Sequence, residues 1–408
     1  MSVITIFSGS CCKKEQVIEK LLPRTGYRLI TDNDMVAEAA RTSGLADNKL
    51  ERAFSAKTSV FNKFTHEKER SIAYLRRALA RTLSQDNLLI AGFSTHLIPR
   101  DINHVLRVCL IAEMKFRIAV AGENKGLSPK EATKLIHRQD EDSAAWVHYI
   151  TEVKDPWDAS LYDIVIPMDK MTVEEAATLI EENLAKDVVK STDASRRAVE
   201  DFLLAANVSV ALAEKGHHVD VKAGAGAVEI TINEHVIALG KLEEELKSIA
   251  EKVHGVESVS TRVGKNFYKA DIYRRYDFEM PSKVLLVDDE REFVQTLSER
   301  LIMRDMGSVV AYDGESALKL VSSDEPDVMI LDLRMPGIDG IEVLRRVKKS
   351  NPEIEVVILT GHGSREDKKV CMDLGAFAYL HKPVDINVLS ETLKKAYEKI
   401  QAKRRKNG

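Results

Sequence analysis

The sequence predicts an α/β chain of several domains, its C-terminal part a doubly wound, five-stranded parallel sheet. Two observations lead there. Four short aliphatic runs, Lys283-Val-Leu-Leu-Val287, Val328-Met-Ile-Leu331, Glu355-Val-Val-Ile-Leu359 and Ala378-Tyr-Leu380, alternate with helical segments up to about Ile400, as strands buried on both faces do. Each run is closely followed by polar residues: Asp288 and Asp289, then Asp332, Thr360 and Lys382. Ligands of such sheets collect outside the carboxyl ends of the strands, so these five side chains are expected to converge.

Three aspartates gathered at neutral pH are all ionised and repel one another, which calls for a cation. Mg²⁺ suits the site, because it takes oxygen ligands and is held by one or two carboxylates plus phosphate oxygens. Asp332, ending the central strand, is the candidate nucleophile that forms an acyl phosphate. Asp288 and Asp289 are candidate metal ligands. Lys382, just before Pro383, and the Thr360 hydroxyl are candidates to meet the charge on the transferred group. Any one of these residues alone reads as a cap or a surface lysine; their recurrence at successive strand ends points to phosphoryl transfer.

The phrases Val-Leu-Leu-Val-Asp288-Asp289-Glu290, Leu331-Asp332-Leu-Arg-Met-Pro336-Gly-Ile-Asp-Gly340, Leu359-Thr360-Gly361 and Gly375-Ala-Phe-Ala-Tyr379-Leu-His-Lys382-Pro383 closely resemble the response-regulator receiver family. The resemblance implies a flavodoxin-like domain over 282–402 that is phosphorylated on Asp332 by a sensor histidine kinase or phosphotransfer protein. It also implies Mg²⁺ held by Asp289, Asp332 and the main-chain carbonyl of Arg334, and a switch in which Thr360 and Tyr379 reorient together. A phosphorylation-dependent dimer is compatible with it.

A chain of 408 residues, 44% hydrophobic and with a net charge of −4, has room for two to four domains and carries no global signal for nucleic acid or bulk disorder. Its cysteines, Cys11, Cys12, Cys109 and Cys371, have no metal or disulfide spacing, and no apolar run approaches the roughly 18 residues of a membrane span. A cytoplasmic protein is expected. The closing Lys403-Arg-Arg-Lys406 reads as a solvated helix end, and no DNA-reading element follows the receiver.

At the N-terminus, Val3-Ile-Thr-Ile-Phe7 is a strand, Ser8-Gly-Ser10 a turn, and Lys13 begins a helix with Val17, Ile18, Leu21 and Leu22 on one side. That is phosphate-binding order. Yet the loop carries one glycine, two cysteines and Glu15 near the place of a metal-binding hydroxyl. Further strands are expected at Asn87-Leu-Leu-Ile-Ala91, at 103–111 and at Tyr162-Asp-Ile-Val-Ile166, with a helix capped by Ser128 before Pro129.

The phrases Phe116-Arg117-Ile118, Leu127-Ser-Pro-Lys-Glu-Ala132, Asp155-Pro-Trp-Asp158, Leu161-Tyr-Asp163 and Thr172-Val-Glu-Glu175 resemble the cytidylate-kinase-like family over 1–187. The resemblance implies a P-loop nucleoside-monophosphate kinase fold. Departures fall on the chemistry: Ala91-Gly92-Phe93-Ser94 lacks the acceptor-site arginine, and the lid reads His137-Arg-Gln-Asp-Glu-Asp142-Ser143. A lost transition-state arginine costs orders of magnitude, so a non-catalytic sensor or scaffold is expected. Gly9, Ser10, Lys13, Lys14 and Arg138 remain a vestigial anion site.

Residues 191–264 follow the order helix, strand, strand, helix, strand, a small α+β module. Ile249-Ala250 through Val253-His-Gly-Val-Glu-Ser-Val259 resembles a BON domain, which implies a lipid or protein partner. His217 and His218 read as ordinary polar residues of a strand, and Gly224-Ala-Gly226 as a hairpin turn. Residues 265–281, with Tyr268, Tyr273, Arg274, Arg275 and Tyr276, read as a linker.

Three functions stay open: a phosphorelay response regulator whose switching passes to the upstream modules, an active nucleoside-monophosphate kinase regulated by the receiver, and a receiver that acts unphosphorylated as an interaction domain.

Overall fold

The computed structural model describes residues 2–236, 238–265, 267, 280–361 and 363–407. Tyr268, Tyr273, Arg274, Arg275 and Tyr276 lie outside the described residues. The chain forms two compact units, Met1–Thr58 with Glu67–Tyr273, and Ser59–His66 with Arg274–Gly408.

In the first unit, strands β1 (Val3–Ser8), β2 (Arg28–Thr31), β3 (Leu88–Ala91), β4 (Val105–Ile111) and β5 (Ile164–Pro167) form a parallel sheet in the order β2-β3-β1-β4-β5. The inner strands are buried on both faces because helices cover both. Val17, Ile18 and Leu21 of helix Lys14–Thr25 join Ala176, Ala177 and Ile180 of helix Val173–Leu184 on one face. On the other, Tyr74, Leu75 and Leu79 of helix Glu67–Leu83 pack with Trp146 of helix Pro129–Thr151. Trp146 is fully enclosed, and its indole N–H donates to the Phe93 carbonyl at 2.8 Å, so the one polar atom of the ring is satisfied.

A second sheet of the same unit consists of β6 (Asp220–Gly224), β7 (Ala227–Ile232) and β8 (Ser258–Val263), β6 antiparallel and β8 parallel to β7. Ala225 and Gly226 take positive φ in the β6–β7 turn. His217 and His218 precede β6 rather than lying in it. The 21-residue helix Asp193–Ala213, capped by Thr192, serves both sheets. Val199, Phe202, Ala206 and Val210 enter the large core, while Val208 and Leu212 enter the small one with Leu242 and Leu246.

The second unit holds β9 (Val284–Val287), β10 (Ser308–Ala311), β11 (Val328–Leu331), β12 (Glu355–Thr360) and β13 (Ala378–His381), all parallel, in the order β10-β9-β11-β12-β13. Helices Arg291–Ile302 and Ile386–Asn407 cover one face; Gly314–Ser323, Gly340–Ser350 and Arg365–Asp373 cover the other. The fifth strand, β10, has no apolar run of its own among those read from the sequence. It is an edge strand, half-buried at Val309 and Val310, and so lacks the continuous hydrophobicity of its neighbours.

His96, half-buried beside Phe7 and with Nε2 at 3.1 Å from the Tyr162 hydroxyl, is held neutral: loss of solvent around the ring pushes its pKa down to about 4, with Arg100 acting in the same direction. The unfolded chain binds that proton first, so the stability linked to this group is complete above about 6.5 and is lost as pH falls from 6.5 toward 4. Urea unfolding of the wild type and His96→Phe at pH 7 and pH 5 should differ, with about 2 kcal/mol less loss in the variant. Equal losses in the two proteins would remove His96 as the cause.

Candidate functional site

Parallel register carries the key residues of the second unit to one edge. Val287 pairs with Leu331 at the ends of β9 and β11, so Asp288 and Asp332, the next residues, stand side by side. Their amides are fixed, Asp288 N–H donating to Ala311 O at 3.1 Å and Asp332 N–H to Val287 O at 2.9 Å. Thr360 closes β12 and pairs with His381 of β13; the next amide, that of Lys382, donates to the Thr360 carbonyl at 2.9 Å.

Asp288 and Asp332 are buried and Asp289 is exposed, with one carboxylate oxygen from each lying within 4.8 Å of the others. Among the described residues this is the group of acidic side chains able to hold a metal ion. The Lys382 ammonium stands 2.7 Å from Asp288 Oδ2, 3.2 Å from Asp332 Oδ2 and 2.8 Å from Glu290 Oε1, and 4.6 Å from the Phe293 ring centre. Asp332 Oδ1 accepts the Leu333 amide at 2.6 Å and, more loosely, that of Arg334 at 3.5 Å. Oδ2 faces the lysine.

Burial raises the Asp288 pKa, opposed by hydrogen bonds from Lys382 and the Glu290 amide. Burial works against the Lys382 charge too, but hydrogen bonds to Asp288 and Glu290 and the charge of Asp332 outweigh it, and its pKa stands above the ordinary lysine value. Three carboxylates thus meet one ammonium, with Asp289 a fourth beside them, a surplus of negative charge that suits a divalent cation with oxygen ligands.

Thr360 is fully buried and Tyr379 nearly so. The Tyr379 ring lies edge-on to His381 at 5.3 Å, and its hydroxyl has no hydrogen-bond partner among the described residues. Burial raises the pKa of that hydroxyl. Gly363 makes room for it, since a Cβ there would collide with the phenol oxygen and press on Thr360 Cγ2 at 3.1 Å. Glu290 and Phe293, which flank Lys382, escaped the sequence reading because the turn into helix Arg291–Ile302 brings them in.

The first unit has a cavity of about 550 Å³ at the loop after β1, lined in part by Gly9, Ser10 and Lys14. Lys13 and Arg138, expected with them, stand elsewhere. Lys13 takes a left-handed φ of 57° and lays its ammonium over Phe116, and Arg138 is exposed, off the helical face whose Gln139, Asp142 and Ser143 line the cavity. The arginine at the loop is Arg117. Its guanidinium donates to the Ser10 carbonyl and hydroxyl, both at 2.8 Å, and grips Asp140 in two-pronged fashion at 2.9 and 2.6 Å. The turn at Gly92 holds the protein's own Asp32, whose carboxylate accepts the Phe93 amide and the Ser94 amide and hydroxyl at 2.8, 2.9 and 2.7 Å. A Cβ at Gly92 would fall on that carboxylate.

Two family models match the chain, the response regulator receiver domain over residues 284–394 and the cytidylate kinase-like family over residues 3–170. Sporulation initiation phosphotransferase F of Bacillus subtilis is 34% identical over 116 residues, which are 28% of this chain and 94% of that protein. Response regulator MprA of Mycolicibacterium vanbaalenii is 36% identical over 110 residues, 27% of this chain and 48% of that protein; the chain thus spans about half the length of MprA. A response regulator receiver domain protein from Clostridium thermocellum of known structure is 33% identical, with a TM-score of 0.29 over 29% of this chain and 97% of that one. Through its C-terminal receiver domain the chain belongs to the response-regulator family.

Gly340 opens helix Gly340–Ser350 against the Asp332 backbone, where a Cβ would stand 2.7 Å from Leu333 Cα and closer still to the Asp332 carbonyl oxygen; at Gly361 the nearest atom is 3.9 Å away. Gly340→Ala should cost about 1–3 kcal/mol in urea unfolding, and Gly361→Ala less than about 0.5 kcal/mol. Equal costs would show that the loop after β11 yields freely.

Proposed function

We propose that the protein is a phosphorelay response regulator whose Asp332 accepts a phosphoryl group from the phosphohistidine of a sensor histidine kinase or phosphotransfer protein. The observation that carries the reading is the buried Asp332 carboxylate with Oδ2 turned to Lys382 and two further aspartates within 4.8 Å. Oδ1 is tied to backbone amides, which leaves Oδ2 as the attacking oxygen. As the new O–P bond forms, the P–N bond of the donor breaks and its electron pair returns to the imidazole, which takes up a proton. Lys382 turns from Asp332 to the incoming phosphoryl oxygens and answers the added charge. Thr360, at the end of the neighbouring strand, donates its hydroxyl to the same group.

Asp289, Asp332 and the main-chain carbonyl of Arg334, with Asp288 beside them, would hold Mg²⁺, which would supply positive charge to the oxygens of the transferred group. Tyr379, whose buried hydroxyl has no partner among the described residues, moves with Thr360 as the switch. The conformational change passes to the kinase-like domain and to the small α+β module, whose BON-like character suits a protein or lipid partner. The cavity in the kinase-like domain speaks for a sensor rather than an active nucleoside-monophosphate kinase. Glu15, Asp32, Glu51 and Asp142 line it against Lys14 and Lys125, a lining that opposes a polyphosphate. No helix among the described residues is long and apolar enough to cross a membrane, which is compatible with a cytoplasmic site of action.

Purified protein incubated with acetyl phosphate should take one acid-stable, hydroxylamine-labile label that needs Mg²⁺ and vanishes in Asp332→Asn. Label persisting in that variant would place the acceptor elsewhere. Asp289→Asn should weaken Mg²⁺, measured by isothermal titration, at least about tenfold, the equivalent of roughly 1.4 kcal/mol. Incubation of the wild type with ATP and CMP should yield no CDP; turnover abolished by Lys14→Ala would instead establish an enzyme.

A further inference from the structure

Eight residues, Ser59–His66, belong to the receiver's unit, although the chain before them to Thr58 and after them from Glu67 belongs to the other. They are seated on the receiver by three specific features. Phe61 is 1% exposed, inside the apolar cluster that contains Leu331 and Leu333, the two neighbours of Asp332 in the chain. Asp324, buried at the C-terminal end of helix Gly314–Ser323, accepts the Ser59 hydroxyl on Oδ1 at 2.9 Å and the Val60 amide on Oδ2 at 2.5 Å. Gly307, just before β10, leaves the space that Phe64 occupies, since a Cβ there would stand 2.5 Å from Phe64 Cβ. An anion, a gap and an apolar hole on the receiver thus match a Ser-Val-Phe-Asn-Lys-Phe peptide.

The residues immediately ahead of this peptide build the cavity of the first unit. Glu51, Phe54 and Ser55 line it, and the Ser55 hydroxyl and the Ala56 amide are held by Asp142 at 3.2 and 2.7 Å. Between that anchor and Ser59 lie the exposed Lys57 and Thr58. A pull on the peptide therefore has two residues of slack before it reaches the cavity wall.

We propose that Ser59–His66 is a built-in docking peptide of the receiver, and that through it phosphorylation of Asp332 changes the cavity of the kinase-like domain. The inference rests on the phosphoacceptor reading above. The peptide's polar anchor and Phe64 sit at the amino ends of β9, β10 and β11, while Asp332 stands at the carboxyl end of β11; the link between them is the single close-packed core to which Phe61, Leu331 and Leu333 all belong, and which transmits a displacement at one end to the other. Coupling of this kind is reciprocal: what phosphorylation does to the grip on Phe61, loss of Phe61 does to the phosphorylated state.

The test uses the full chain with Mg²⁺, with and without acetyl phosphate, and reads two rates. One is tryptic cleavage after Lys57. The other is maleimide labelling of Cys11, which lies half-exposed in the cavity wall while Cys12, Cys109 and Cys371 are buried. In the wild type, acetyl phosphate should change both rates at least about fivefold. Phe61→Ala should be cleaved about tenfold faster from the outset and should then ignore acetyl phosphate, while still taking label on Asp332. Phe64→Ala, which empties the space beside Gly307 without touching the receiver's own backbone, should behave likewise. Wild-type rates constant within about twofold while Asp332 carries its label, or a Phe61→Ala protein that responds as the wild type does, would overturn the proposal. Absence of label on Asp332 would sink it together with the phosphoacceptor reading, and the label itself tells that case from the other.

Discussion

The crowding of negative charge at the carboxyl ends of β9 and β11 is the constraint around which the receiver is organised. Two buried carboxylates a few ångströms apart repel by roughly 4 kcal/mol even at an effective dielectric near 20. The fold holds them there because the strands that end in Asp288 and Asp332 are locked in parallel register, with every residue of β9 and β11 buried. Lys382 relieves part of the repulsion and is itself held charged by it. What remains is an unsatisfied demand for positive charge in a pocket shaped by backbone, so the site is prepared for a cation and for a group that arrives with one.

The N-terminal domain settles its electrostatics in the opposite manner. Arg117, which in an open loop would be free to meet phosphate, is spent on Ser10 and Asp140, and the turn at Gly92 is filled by Asp32. These are internal partners with good hydrogen-bond geometry, and an incoming polyanion would have to displace them.

The receiver site was legible in the sequence because each of its residues follows a run of buried strand residues, and parallel strands bring their ends together whatever lies between. Edge strands were less legible. Arg28–Thr31 and Ser308–Ala311 are four-residue elements with only partial burial, and nothing in their local pattern separates them from loop. The Arg117–Asp140 pair joins positions 23 apart on two helices, and Asp324, which holds Ser59 and Val60, and Gly307, which makes room for Phe64, lie more than two hundred residues further along the chain. Such contacts depend on tertiary geometry alone. Lys13 and Arg138 lie off the cavity lining for a related reason: residue type and order in the sequence named them, whereas backbone conformation and helical phase decide which side chains face the cavity.

Helix Asp193–Ala213 offers one apolar side to the large sheet and another to the small one. A module that owned its first helix outright could be lost, duplicated or exchanged as a cassette. Here, removing everything after residue 190 would strip Val199 and Phe202 from the larger interior, and keeping the helix without its small sheet would leave Val208 and Leu212 in water. The two sheets therefore share one helix that neither can give up without opening its own interior.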